Sequence, residues 1–213
     1  MITVHHLENS RSQRVLWFLE ELGLPYAVKR YEREKGTMLA PPALKAVHPL
    51  GKSPVIVDDE TDDGASRTIA ETAVIIDYLV EKAGGRLGPS VDRDETLLYR
   101  YFLHYAEGSL MPPLLLKLGL SRVPLFGKVA QKRVQPMIDV HLDFVEAELT
   151  RRHWFAGSHF TAADVMMSFP LEAARIRAGL DDRRPATMAW LAKIHARPGY
   201  QTALARGGPY AYA

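Results

Sequence analysis

The stretch MITVHHLENSRSQRVLWFLEELGLPYAVKRY, residues 1–31, changes its hydrophobic period twice. Residues 1–7 alternate Ile2 and Val4 with polar neighbours in a β-rich run, which predicts a strand. Val15, Phe18, Leu19 and Leu22 then recur at helical spacing over residues 12–22, and Gly23 with Pro25 stops the helix. TyrAlaValLysArgTyr, 26–31, reads as a second strand. Two strands joined by one short crossover helix form a βαβ unit, with the strands parallel and the helix on one face.

Outward from this unit the pattern stays mixed up to residue 83. A loose, Pro-rich stretch carries a weak helical piece at 43–47. ProValIleValAsp (54–58) and ArgThrIle (67–69) then read as strands three and four of a hairpin across the polar turn 58–64. An amphipathic helix opening at Glu71 carries Val74, Ile75, Tyr78 and Leu79 and ends at Gly84-Gly85. Residues 84–91 hold three Gly and one Pro and read as a linker. Beyond it only helical segments recur, at 92–119, 125–152, 161–178, 186–197 and 198–206. The expected organisation is an α/β domain over 1–83 in βαβββα order with a mixed four-stranded sheet, then an all-α bundle over 92–213.

The composition excludes several classes. With 47% hydrophobic and 24% charged residues the chain is globular in type. Its apolar runs are far shorter than the roughly 20 residues of a membrane span, and the N-terminus lacks a signal-peptide pattern, so no membrane partner and a cytoplasmic location are expected. Cys is absent, which removes disulfides, thiolate metal sites and a protein thiol as nucleophile. Residues 1–83 hold ten basic and thirteen acidic side chains and the remainder seventeen and twelve. The excess Arg is interspersed with acids, a solvated helical surface and not a nucleic-acid footprint. There is no GxGxxG, P-loop or HExxH. His5 and His6 are adjacent in a strand and point to opposite faces, so they cannot hold one metal together, and no metal site is expected. His104, His141, His153, His159 and His195 are scattered, and Trp17, Trp154 and Trp190 read as core.

Four local motifs remain. In AsnSerArgSerGlnArg (9–14) a hydroxyl stands at a helix start, where unpaired N–H groups and a partial positive charge favour an anion; Ser10 or Ser12 could equally cap the helix. HisProLeuGlyLysSerProValIle (48–56) leads through Ser53-Pro54 into strand three, and Glu71-Thr72 opens the next helix with an acid and a hydroxyl. GlySerHisPheThrAlaAlaAspVal (157–165) forms a capping box, Thr161 with Asp164, and a staple, Phe160 with Val165, which is structural.

A βαβββα domain followed by helices, with these motifs in this order, resembles the glutathione transferase superfamily, in its cytosolic, bacterial, serine-type members. The likeness covers the whole chain; it departs at His48, where the family often has Asn, and at Thr72, where Ser is more frequent. The resemblance implies a thioredoxin-like glutathione-binding domain and a nucleophilic attack by the glutathione thiolate on a hydrophobic electrophile. It makes Ser10 the catalytic hydroxyl, with Ser12 placed as the helix cap. Glutathione would be bound by Lys52 through its glycine carboxylate, by Ser53 and a cis-Pro54, by the backbone of Val55 as an added strand would be, and by Glu71 and Thr72 through its γ-glutamyl head. Glutathione is then a co-substrate with no further cofactor, the electrophile pocket includes Leu7, Tyr105 and Met111, the assembly is a homodimer, and the role is detoxification. Glutathione-dependent reduction of disulfides or peroxides, or a non-catalytic glutathione-binding module, would use the same site.

Overall fold

A computed structural model describes residues 1–61 and 63–213; Asp62, within the expected polar turn, lies outside the described residues. The chain divides into two compact units: residues 1–88 with 196–211 and 213, and residues 89–195 with 212.

The first unit is built on a mixed sheet of order β2-β1-β3-β4. Strand β1 (Ile2–Leu7) is central, parallel to β2 (Tyr26–Tyr31) and antiparallel to β3 (Val55–Asp58), which is itself antiparallel to β4 (Arg67–Ala70). Because β1 is covered on both faces, Val4, His5, His6 and Leu7 are all buried. Strand β3 begins one residue later than expected, since Pro54 has no N–H to give a ladder. Helix α1 (Ser12–Leu22) ends at Gly23, which takes φ 61°; the Leu24 N–H then closes on the Leu19 carbonyl at 3.1 Å. The weak helical piece is a 3₁₀ turn, Pro42–Leu44, and α2 (Thr72–Lys82) follows β4.

The second unit holds α3 (Arg93–Tyr105), α4 (Met111–Ser121), α5 (Gly127–Arg151), α6 (Ala162–Arg177) and α7 (Pro185–His195). The single helix expected over 92–119 is interrupted by a π-helical turn, Ala106–Leu110. Pro112 and Pro113 follow at once, and a proline ring clashes with the carbonyl four residues back, which the wider turn relieves. The α6 capping box forms, and α6 is buried from Ala162 to Ala174. Among the described residues no helix is long and apolar enough to cross a membrane.

The last helix departs from the expected division. Helix α8 (Pro198–Gly207) belongs to the sheet unit and packs on α1. Arg197 forks onto Glu21 with both bonds at 2.7 Å, Arg206 meets Glu20 at 3.0 Å and stacks 3.7 Å over Tyr26, and Trp17 meets Tyr200 edge-on at 5.3 Å.

Candidate active site

Sheet register gathers three of the four motifs. His5 pairs with Val55, and Val55 with Ala70, so the C-terminal ends of β1 and β4 flank the start of β3. The loop to α1, the Ser53-Pro54 turn and the start of α2 therefore share one end of the sheet. Both helices begin there, and their unpaired N–H groups make that end favourable for anions. Arg14, buried in α1, donates to Thr72 Oγ1 at 3.5 Å and ties the two helix starts together.

The loop after β1 is held on every side. Asn9 has φ 48°, a left-handed backbone that Asn tolerates better than most residues. Its Oδ1 accepts the Ala211 N–H at 2.7 Å. Arg33 donates to the Glu8 and Asn9 carbonyls at 3.2 Å each and to the Met38 carbonyl at 2.9 Å. Ser10 Oγ lies 2.7 Å from the Leu7 carbonyl and 2.7 Å from Ser12 Oγ, and accepts the Ser12 N–H at 3.3 Å. Ser12 is 0% exposed and Ser10 6%.

The role expected of Ser12 is therefore corrected. The N-cap of α1 is Arg11, with no side-chain cap bond, and Ser12 lies one residue inside the helix. Its hydroxyl turns inward to His6 Nδ1 at 2.8 Å, while Ser10 accepts an N–H of the first turn as a cap would. His6 is buried and hydrogen-bonded to the backbone of Gly207. Burial first, and repulsion from Arg30 second, push its pKa down to about 4, so it is neutral near pH 7. Its neighbour His5 faces the other way, with Nδ1 2.8 Å from the Tyr31 hydroxyl.

The Ser53-Pro54 peptide is cis, as expected. Val55, expected to offer open backbone, is paired with β1 on one side and β4 on the other, so it has no edge to give. Ser53, two residues earlier, is the open position: its Oγ donates to the His5 carbonyl at 2.9 Å and accepts the Leu7 N–H at 3.3 Å, leaving its backbone outside the ladder. Lys52 beside it is exposed.

Glu71 is exposed, and its φ of 70° with ψ of 121° lies where non-glycine residues rarely go. It ends β4 and starts α2, its carbonyl accepting the Ile75 N–H at 2.9 Å. Thr72 is buried beneath it.

The three electrophile candidates are interior. Leu7 packs with Tyr31 and Leu44. Tyr105 is buried among Tyr101, Phe102 and Phe144, its hydroxyl 2.6 Å from His141 Nδ1, and burial pushes its pKa well up. Met111, also buried, opens α4. Large apolar side chains fill cores before they line clefts, so their sequence type was no guide. Sequence reading missed His6, Asn9 and Arg33 as site supports; burial of β1 from Val4 to Leu7 marks His6, and it requires both faces of the sheet to be covered. Among the described residues no cluster of His, Asp and Glu could hold a metal ion.

Comparison with known proteins identifies the family. The glutathione S-transferase N-terminal domain model matches residues 10–82, and the glutathione S-transferase C-terminal domain model matches residues 111–198. Glutathione S-transferase 3 of Schizosaccharomyces pombe is 39% identical over 189 residues, which cover 82% of this chain and 75% of that protein. Glutathione S-transferase 1 of Saccharomyces cerevisiae is 34% identical over 94% of this chain and 92% of its own. A crystal structure of a glutathione S-transferase from Actinobacillus pleuropneumoniae superposes with a TM-score of 0.86 at 31% identity, covering 100% of this chain and 95% of that one. With both domain models matched and relatives of this identity along nearly its full length, the chain belongs to the glutathione S-transferase family.

Proposed function

We propose that the end of the sheet shared by Ser10, Ser53-Pro54 and Glu71-Thr72 binds glutathione and holds its thiol as the thiolate for attack on a hydrophobic electrophile. The observation that carries this is the register His5 to Val55 to Ala70, which brings one hydroxyl, one open backbone turn and two helix starts together. A free thiol of pKa about 8.5 is only a few per cent ionised near pH 7, and lowering it by two units takes about 2.7 kcal/mol. One hydroxyl donor with helix-start amides is of that order. Of the two serines, Ser10 is the one that keeps any exposure, so it is the hydroxyl we assign to the sulfur.

In this reading Ser53 pairs its backbone with the extended ligand, a role moved two residues from Val55. Lys52 meets the glycine carboxylate, and Glu71 meets the γ-glutamyl ammonium, with the Thr72 N–H group on its carboxylate. Glutathione is a co-substrate, no other cofactor takes part, and the role is detoxification in the cytoplasm, the compartment that keeps glutathione reduced. A homodimer completes the reading, supported by Val74 on α2 and by Leu97 and Tyr101 on α3, large side chains left exposed. The test is Ser10→Ala followed by thiolate absorbance against pH in the glutathione complex: the curve moves to higher pH and turnover falls about 100-fold. An unmoved curve assigns ionisation of the thiol to other groups. An aryl halide, a hydroperoxide and a small disulfide assayed side by side separate conjugation from reduction.

A further inference from the structure

Three short contacts run in line through the site. Leu7 O to Ser10 Oγ is 2.7 Å, Ser10 Oγ to Ser12 Oγ is 2.7 Å, and Ser12 Oγ to His6 Nδ1 is 2.8 Å. His6 also bonds the Gly207 backbone, a contact that favours its protonated form and so runs from ring N–H to carbonyl. Nε2 is the nitrogen on that side, 3.4 Å from where a Gly207 Cβ would stand. Neutral His6 thus gives its one ring proton to Gly207, and Nδ1 is bare. Two hydroxyls then bring two protons to these three contacts and to a longer one, Ser12 Oγ to the Leu7 carbonyl at 3.3 Å, and at least one short contact always goes without. A proton on Nδ1 completes the row: His6 donates to Ser12, Ser12 to Ser10, and Ser10 to the Leu7 carbonyl; when the Ser10 proton turns toward a ligand only the Leu7 contact then goes without, where neutral His6 leaves two.

We propose that the chain Ser10–Ser12–His6 couples ionisation of the bound thiol to protonation of His6, each favouring the other, which makes His6 a positioning residue for Ser10. The inference rests on the reading that Ser10 meets the sulfur. Along this route the thiol proton passes to Ser10 Oγ, that of Ser10 to Ser12 Oγ, and that of Ser12 to Nδ1. The sulfur keeps the bonding pair as thiolate, the imidazole becomes imidazolium, and nothing is oxidised or reduced. Of the groups around His6, Arg30 on β2 is the ionised one and opposes the charge; α1 offers Ser12 and Gln13, both neutral, and α8 the Gly207 carbonyl. In the free protein that balance leaves His6 uncharged, and a thiolate at the far end of the chain is the opposing charge that shifts it.

The experiment follows the His6 ring by NMR across pH in the wild-type protein, assigned by its loss in His6→Gln, with saturating glutathione or S-methylglutathione. The thioether cannot ionise. The expected result is a His6 pKa higher by about one unit in the glutathione complex than in the thioether complex. Equal values in the two complexes overturn the coupling. His6→Phe adds a kinetic arm: its loss of kcat/KM grows toward the acid limb of the pH profile, whereas a merely structural role lowers the whole profile evenly. Should Ser10→Ala shift the thiolate curve while His6 titrates alike in both complexes, the coupling fails and the reading of Ser10 stands; should Ser10→Ala shift nothing, both fail.

Discussion

Glu71 shows a residue held against its own preference. A non-glycine side chain at φ 70° costs of order 1–3 kcal/mol, and such strain persists where the surroundings over-determine it. Here β4 hydrogen bonding behind it and α2 ahead of it leave the carboxylate exposed at the sheet end. Glu71→Ala removes the carboxylate and keeps the strain, and the glutathione Kd rises about 10-fold, equal to about 1.4 kcal/mol for an exposed charged contact. Glu71→Gly loses the same affinity but relaxes the backbone, gaining about 1 kcal/mol in urea unfolding. Calorimetry and denaturation on the pair check this; a Gly variant less stable than the Ala variant would show that Glu71 is not strained.

At the scale of elements, α8 is part of the sheet unit's core. Tyr200 is fully buried against Trp17, and truncating an aromatic of this size in a packed site costs about 3 kcal/mol. Tyr200→Ala therefore lowers the unfolding free energy of the sheet unit, read from urea titration, by that amount. A loss below about 1 kcal/mol would mean α8 docks loosely. Asp164 is the matching anchor of α6. Its carboxylate accepts the Phe155 and Thr161 N–H groups at 3.0 Å each and the Trp190 indole N–H at 3.3 Å, so it joins the helix cap to two other segments. Asp164→Ala leaves those buried donors unpaired, and the loss exceeds the roughly 1 kcal/mol of an ordinary cap.

Across the whole molecule, one buried group in each unit responds to acid in the opposite direction to the other. His6 lies in the sheet unit with its pKa lowered from 6.5 to about 4. The unfolded chain takes up that proton first, so the stability from His6 is complete above pH 6.5 and is lost, by about 3 kcal/mol, as pH falls toward 4. Asp164 lies in the helical unit, and burial raises its pKa from 3.8 to about 6 despite the donors around it. There the folded state holds the proton longer, so stability is complete below pH 3.8 and is lost, again by about 3 kcal/mol, as pH rises toward 6. Amide hydrogen exchange, expressed as protection factors, should show β1 and α1 weakening and α6 strengthening between pH 6.5 and 4.5. A common direction in β1 and α6 would refute the assignment. The proposed dimer is checked by sedimentation at micromolar concentration, with twice the 23.9 kDa chain mass expected; a clean monomer would leave Val74, Leu97 and Tyr101 without a partner.

Local chemistry alone accounts for much of this protein. The change from period two to helical spacing within residues 1–31 determined the βαβ unit, Gly23 its helix end, and Thr161 with Asp164 the start of α6, because each depends on residues a few positions apart. Ser10, Pro54 and Glu71 were legible as separate signals, each at an element boundary where backbone groups lack partners. Tertiary structure alone decided that Val55 is closed on both sides, that α8 joins the sheet unit, that Leu7 is core, and that Ser12 turns inward to a neutral His6. Those outcomes depend on which elements cover which others in the folded chain, and no run of neighbouring residues encodes whether a strand is central or whether a histidine is covered on both sides.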